Sequence, residues 1–310
     1  MEHGLVAAIL FATVVAGTPL MIAALGELVA ERAGVLNLGV EGMMAVGAVA
    51  GFAAAHASGS SAAGVGAGLL AGASMSAIFG VLALTLMANQ VASGLALSIF
   101  GVGLSAFVGK AWEAESMAAV PATELPLLAD LPVIGHALFS HQWLVYASWG
   151  LLAAVAVFLA RSRAGLVLRA VGESPSSAHA IGHPVMRIRW LATLFGGAMA
   201  GVAGAFLSVF HTPLWAEGMV AGKGWIALAL VVFATWRPLR AAMGAYLFGG
   251  VMVAQLFLQG SGLQLEVPSQ LLSALPYLAT VAVLVAISRN RQTIRLNSPV
   301  SLGQPWRADA

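Results

Sequence analysis

The sequence has no cysteine among its 310 residues, which removes disulfides, thiolate metal sites and cysteine nucleophiles from consideration. Charge is nearly as scarce. Only 8% of residues are charged, against about 25% in an ordinary globular domain. With 60% of residues hydrophobic, a soluble chain of this length has too few charges to cover its surface, so lipid is the solvent for most of it. Chemistry-bearing motifs are also missing. The string closest to a P-loop, Gly218-Met-Val-Ala-Gly222-Lys223-Gly224, has the wrong spacing and lacks the hydroxyl residue. Neither H-E-x-x-H nor G-x-S-x-G occurs. No catalytic residues and no cofactor of its own are therefore expected, and the chain is read as a non-enzyme.

What is present is a series of apolar runs, each long enough to cross about 30 Å of hydrocarbon. Nine candidates fall at 5–25, 38–55, 64–88, 91–109, 142–160, 190–210, 225–236, 241–258 and 271–288, the seventh short and tilted or broken. The expected fold is all-α: one polytopic membrane domain over residues 1–310 with about nine transmembrane helices, the count open between eight and ten. Ahead of the first run stands only Met-Glu-His-Gly, with no basic region, so the run is read as a retained span rather than a cleaved signal. No sequence repeat is evident, although many polytopic membrane proteins hide structural ones.

The basic residues sort themselves. Arg32, Arg161, Arg163, Arg169, Arg187, Arg189, Arg237, Arg240, Arg289, Arg291, Arg295 and Arg307 fall on one side of the nine-span arrangement, with only Lys110 and Lys223 opposite. The positive-inside bias makes the arginine side cytoplasmic, the N-terminus external and the C-terminus cytoplasmic. Two connections exceed simple turns: an external segment at 110–141 and a cytoplasmic one at 161–189.

Glycine, 36 residues in all, sits inside the apolar runs. Gly47/Gly51, Gly64/Gly68/Gly72 and Gly197/Gly201 have the G-x-x-x-G spacing that lets helix backbones approach closely. The polar residues are more informative. Between the first two runs lie Glu27, Glu31, Arg32, Asn37 and Glu41, interspersed with four glycines. Charges near membrane depth cost about 2.5–3.5 kcal/mol each on insertion scales, so they persist where they pair, face water or line a route. Two readings stand open: a loop with a Glu31–Arg32 pair and a capping Glu41, or a broken helix lining a path, with Asn37 and Glu41 foremost. A second group, Asn89, Gln90 and Ser93, opens the fourth run and either caps it or offers hydrogen bonds to a polar ligand. Trp215 and Trp225 border the connection 211–224 and are read as an interfacial belt, with stacking on a flat ligand secondary. His179 and His183, four residues apart, lack nearby acids or thiols and are not read as a metal site. In the cytoplasmic segment, Ser174-Pro175 reads as an N-cap followed by proline at the first helical position, opening a short helix that ends at Gly182.

Several strings go beyond generic physics. Glu31-Arg-Ala-Gly-Val-Leu-Asn37-Leu-Gly-Val-Glu41-Gly-Met-Met44 resembles the N-terminal signature of bacterial nucleoside-type ABC permeases, within the branched-chain amino acid/ribose/nucleoside permease superfamily. Asn89-Gln90-Val-Ala-Ser-Gly-Leu-Ala-Leu97, Gly222-Lys-Gly-Trp-Ile-Ala-Leu-Ala229 and Trp236-Arg-Pro238 are similar to further blocks of that family in the expected order. Arg169-Ala-Val-Gly-Glu-Ser-Pro175 with Ala180-Ile-Gly182 resembles the family's ATPase-coupling loop, which places Gly172, Glu173, Ser174, Pro175, Ala178 and Gly182 in that role. Ser176-Ser177 departs from the paired alanines usual there. The resemblance implies an inner-membrane importer that binds ATP on separate subunits. It implies a second permease subunit (a heterodimer), two cytoplasmic ATP-binding subunits and an extracytoplasmic substrate-binding protein. The expected solute is a purine nucleoside, with sugars or branched-chain amino acids next. An ion-coupled secondary transporter is disfavoured because the spans hold almost no acids beyond Glu41.

Overall fold

The computed structural model describes residues 2–124, 134–260, 274–275, 278–279, 281–282, 285 and 297–307. In chain order the helices are α1 (Glu2–Arg32), α2 (Val40–Ser58), α3 (Ser61–Gly80), α4 (Gln90–Gly109), α5 (Ile134–Phe139), α6 (Trp143–Arg161), α7 (Arg163–Glu173), α8 (Pro175–Ala180), α9 (Val185–Ala205), α10 (Lys223–Phe233) and α11 (Pro238–Gly260). One π-helical turn, Val81–Thr85, extends α3, and another, Phe206–His211, extends α9. The two-residue strands β1 (Thr123–Glu124) and β2 (Ser140–His141) pair antiparallel. Seven helices among the described residues have the length and apolarity to cross a membrane, and α10 is a shorter apolar helix. They match the first eight predicted runs within a few residues, except that α1 continues to Arg32 rather than ending at 25. The predicted ninth span, 271–288, lies for the most part outside the described residues.

Helix starts follow local chemistry. Oxygen atoms of Ser60, Asn89 and Ser162 accept from the backbone N–H three residues on, capping α3, α4 and α7. Gly59 supplies the left-handed residue (φ 66°) that ends α2. The predicted small-residue motifs all meet in one place. Gly47 lies against Gly201, Gly51 against Ala205 and Gly64, and Gly68 and Gly72 against the α9 backbone at Gly197–Gly201. A Cβ on Gly72 would come within 2.1 Å of the Gly197 carbonyl oxygen, so α2, α3 and α9 touch almost backbone to backbone.

The packing reveals a repeat that the residues conceal. Helix α1 and the continuous helix of α9 with its π turn are each long enough to span, and their ends, Arg32 and His211, stand 179 residues apart. Carrying that offset forward puts α2 onto α10, α3 onto α11, and α4 onto the predicted span 271–288. Contacts obey the same relation. Helix α1 packs on α11, with Thr13 and Gly17 against Gly249 and Ala245, as the counterparts α9 and α3 pack on each other, though in a shifted register, with Gly201 and Ala205 against Gly72 and Gly68. Between the counterparts α1 and α9, Gly26 meets Met199 while Ala30 meets Gly196, so the two run antiparallel. The two units are therefore inverted relative to each other about their shared contact. At the same offset Asn37 falls on Ala216 and Glu41 on Val220, which is why sequence comparison does not find it.

Connections sort between two ends as the charges suggested. At one end Arg169, Glu173 and Arg237 face Arg32. At the other, His56 approaches Glu115 at 4.0 Å and Met117 N donates to the Pro213 carbonyl at 3.0 Å.

Candidate functional site

Two connections leave the helices and then resume inside the apolar layer: 33–39 after α1, and 212–222 after the π turn of α9. By the repeat they are counterparts.

The first is held by side chains. Glu27 Oε1 accepts from Asn37 N at 3.1 Å, and Gln90 Oε1 accepts from Leu36 N at 2.8 Å. Asn37 Oδ1 accepts from Gly39 N at 2.9 Å, an Asx turn leading into α2, and Ser98 Oγ donates to the Leu38 carbonyl at 2.8 Å. Glu27, Asn37 and Gln90 are all buried, and their bonded oxygens serve the backbone. Neither Glu27 Oε2 nor Gln90 Nε2 has a hydrogen-bond partner among the described residues. Ser93 is buried one turn beyond Gln90, whereas Asn89 is exposed and caps α4 by accepting from Ala92 N at 3.0 Å.

The predicted Glu31–Arg32 pair does not form. Glu31 Oε2 instead accepts from Trp236 Nε1 at 2.6 Å, and Arg32 donates to the carbonyls of Trp236 (Nη2, 3.0 Å) and Asn297 (Nη1, 3.0 Å). Both acids find partners that let α1 stay helical through them, which is why the helix runs past its predicted end. Trp236 is aimed there by a left-handed turn at Thr235 and Trp236 (φ 50° and 54°), an unfavourable backbone that the surrounding bonds hold in place.

The second connection ends on Glu41. Its Oε1 accepts from Gly222 N at 2.6 Å and its Oε2 from Gly224 N at 2.7 Å, so both oxygens cap the start of α10 from the first turn of α2. One carboxylate thus stands between two helix N-termini, where each macrodipole favours negative charge. Gly222 adopts φ 81°, and a Cβ on Gly224 would come within 2.5 Å of Glu41 Cα. From 11 residues at 1.5 Å each, α10 is about 16 Å long, roughly half a membrane core. Beside this junction Trp215 is buried against Gly109 and Phe52 and so belongs to the core rather than to an interfacial belt; Trp225 is 40% exposed. A cavity of about 810 Å³ opens between α1, the π turn, the start of α10 and α11, lined by Phe11, Leu207, His211, Lys223 and Gln255 among others. A smaller one of about 170 Å³ adjoins Glu41, Ser105 and Glu217.

At the arginine end the predicted short helix is α8, and it follows a second helix, α7, that was not predicted. Ser174 Oγ accepts from Ser177 N, Pro175 follows as the first helical residue, and Gly182 (φ 90°) turns the chain into α9. Glu173, Ile181 and Gly182 are exposed. Ala178 is buried with Val171 and Val185, and Gly172 lies against the Arg32 carbonyl, where no Cβ fits. No cluster of three metal-ligating side chains occurs among the described residues. His179 packs edge-on to Trp306 (5.2 Å between ring centroids).

Sequence reasoning missed the partners Trp236, Gly224, Arg189 and Ser301. Trp236 and Gly224 fell inside strings noted only for resemblance, and Arg189 counted only as one of the sidedness charges.

Residues 9–294 match the family described as branched-chain amino acid transport system / permease component. A Haloferax volcanii protein provisionally named a glucose ABC transporter permease is 42% identical over 97% of this chain and 97% of its own length. A nucleoside ABC transporter permease of Lactococcus lactis is 32% identical over 86% of this chain and 88% of its own. A guanosine ABC transporter permease of Bacillus subtilis is 31% identical over 95% of each. No solved structure matches the chain.

Proposed function

The chain belongs to the branched-chain amino acid transport system / permease component family, and from that premise we propose that it carries a solute built on a hydroxylated sugar ring, in the first reading a purine nucleoside, as the membrane subunit of an ABC importer. A permease subunit is a transport component and not an enzyme. The observation that carries a transport role within the fold is the Glu41 junction. Two inverted units meet where a broken helix is capped by a single carboxylate, an arrangement suited to alternating access by rocking of one unit against the other. Within this reading Asn37, Glu41 and Gln90 shape the route by fixing the backbone beside it, with Ser93 behind them and Asn89 on the exposed face.

The arginine end faces the cytoplasm in this proposal, by the positive-inside bias. The α7–α8 pair, with Gly172, Glu173, Ser174, Pro175, Ala178 and Gly182, docks into an ATP-binding subunit and passes its closure to the spans as a rigid-body movement. A second permease subunit, different in sequence, completes the pathway in the inner membrane, and an extracytoplasmic protein delivers the solute. The named relatives support the solute class: two are named for nucleosides or guanosine and one for glucose. Glucose is the second reading, favoured by the 42% identity.

The test is uptake into liposomes containing the whole importer loaded with ATP. Guanosine uptake, unaffected by excess glucose, is expected; uptake of glucose with no competition from guanosine would transfer the assignment to the second reading.

A further inference from the structure

The family match ends at residue 294, yet the tail beyond it is built into the arginine end. Ser301 N and Ser301 Oγ both donate to the Gly172 carbonyl, at 3.0 and 2.7 Å. Arg189, 1% exposed at the start of α9, donates through Nη2 to Ser301 Oγ (3.0 Å) and through Nη1 to the Gln304 carbonyl (3.0 Å). Gly303 N donates to the Gly34 carbonyl at 3.2 Å, and Arg32 Nη1 to the Asn297 carbonyl at 3.0 Å. Trp306 closes the set against His179 on α8. Eleven residues, 297–307, thus join the end of α1, the first re-entrant connection, the end of α7, α8 and the start of α9.

The geometry points to the tail as a positioning strap: it couples the α7–α8 pair to α1 and α9, so that a push on that pair moves both inverted units instead of bending the α8–α9 turn. Apart from the tail, α7 is held by Leu168 in the main core, by Gly165 against Phe158 of α6 and by Gly172 against Arg32, whereas α8 has, among the described residues, only the small apolar cluster of Val171, Ala178 and Val185. The turn itself contains Gly182 at φ 90°, with nothing within 4 Å of where a Cβ would stand, and is held by short backbone bonds from Gly182 N to the His179 carbonyl (2.8 Å) and from His183 N to the Ala178 carbonyl (3.0 Å). A buried arginine whose two terminal nitrogens are spent on the tail is costly to leave unpaired, so the strap is held firmly while in place. The inference rests on the importer reading above, because it assigns the strap to the coupling of that importer's ATP hydrolysis to solute movement.

The experiment uses the complete importer in liposomes and measures solute uptake and ATP hydrolysis together. The chain is compared with a form ending at residue 294 and with Arg189→Met. The expected result is assembled complexes that still hydrolyse ATP while solute moved per ATP falls about tenfold, within the usual range of coupling between sites. Arg189→Lys, which keeps one donor group for the tail, should recover part of the ratio. An unchanged ratio in the truncated form overturns the strap. Should truncation prevent assembly, His179→Cys with Trp306→Cys, bridged by a bifunctional methanethiosulfonate that spans the gap left by the two rings, decides, since the chain has no other cysteine. Bridging should leave coupled uptake intact; loss of uptake on bridging, restored by reductant, would show that the tail has to leave and would overturn the strap. Lack of ATP-driven uptake by the unmodified complex would instead bring down the importer reading itself.

Discussion

The two re-entrant connections occupy equivalent places in inverted units, and they are built differently. Residues 33–39 are mostly buried, and four side chains from α1, α4 and the connection itself hold the backbone bond by bond. Residues 212–222 are longer, with Thr212, Leu214, Ala216, Glu217, Gly218 and Ala221 exposed, and the end of the connection hangs on one carboxylate. Distributed attachment makes the first connection part of the frame. Concentrated attachment leaves the start of α10 held by Glu41, so that in the proposed importer displacement of this one group frees it.

The largest expected effect separates them. Glu41→Ala leaves the N–H groups of Gly222 and Gly224 without acceptors, a cost on the order of 3 kcal/mol at hydrogen bonds to a charged group. Uptake should fall at least tenfold with insertion retained, and wild-type uptake would dissolve the contrast. A finer cut is the amide. Glu41 uses both oxygens, whereas Glu27 uses one. Glu41→Gln should therefore lose about 1.5 kcal/mol through one mispaired N–H. Glu27→Gln keeps its working acceptor and places a neutral amide in a fully buried site, so its thermal midpoint should match or exceed that of the parent. Equal losses at both positions would mean that charge, not acceptor count, is what each site needs. Next in size, Gln90→Leu strands Leu36 N and should cost about 1–2 kcal/mol in stability with little change in the solute preference. Gly218→Ala should be smallest: its φ of 75° costs a side chain about 1 kcal/mol, but the surrounding space is open, and uptake should stay within twofold.

The difference in what could be read from sequence has a physical cause. Spans were legible because a run of apolar residues carries its own signal, and the Ser174-Pro175 start of α8 because a cap reaches only three residues. The glycine motifs announced close packing but not which helices would meet. Partners of the buried acids were out of reach: Glu41 bonds across 181 and 183 residues, and Glu31 across 205. Those separations also explain the misplaced end of α1. Glu27 and Glu31 look like loop residues until an indole and a backbone N–H are brought to them. The inverted repeat was hidden because its halves share the order and packing of their helices but not the polar residues, with Ala216 and Val220 standing where Asn37 and Glu41 stand.

The glycine-lined junction of α2, α3 and α9 has a mechanical consequence. Backbones in contact leave no side chains to re-pack, so the helices cannot slide there without separating. Sliding excluded, what remains is rotation about the contact. Gly197 and Gly201 lie about 18–24 Å along α9 from Val185, close to the middle of a rod about 40 Å long. A fulcrum at that point gives lever arms of nearly equal length, so a displacement at the arginine end reappears at the cavity end with about the same size and the opposite sense.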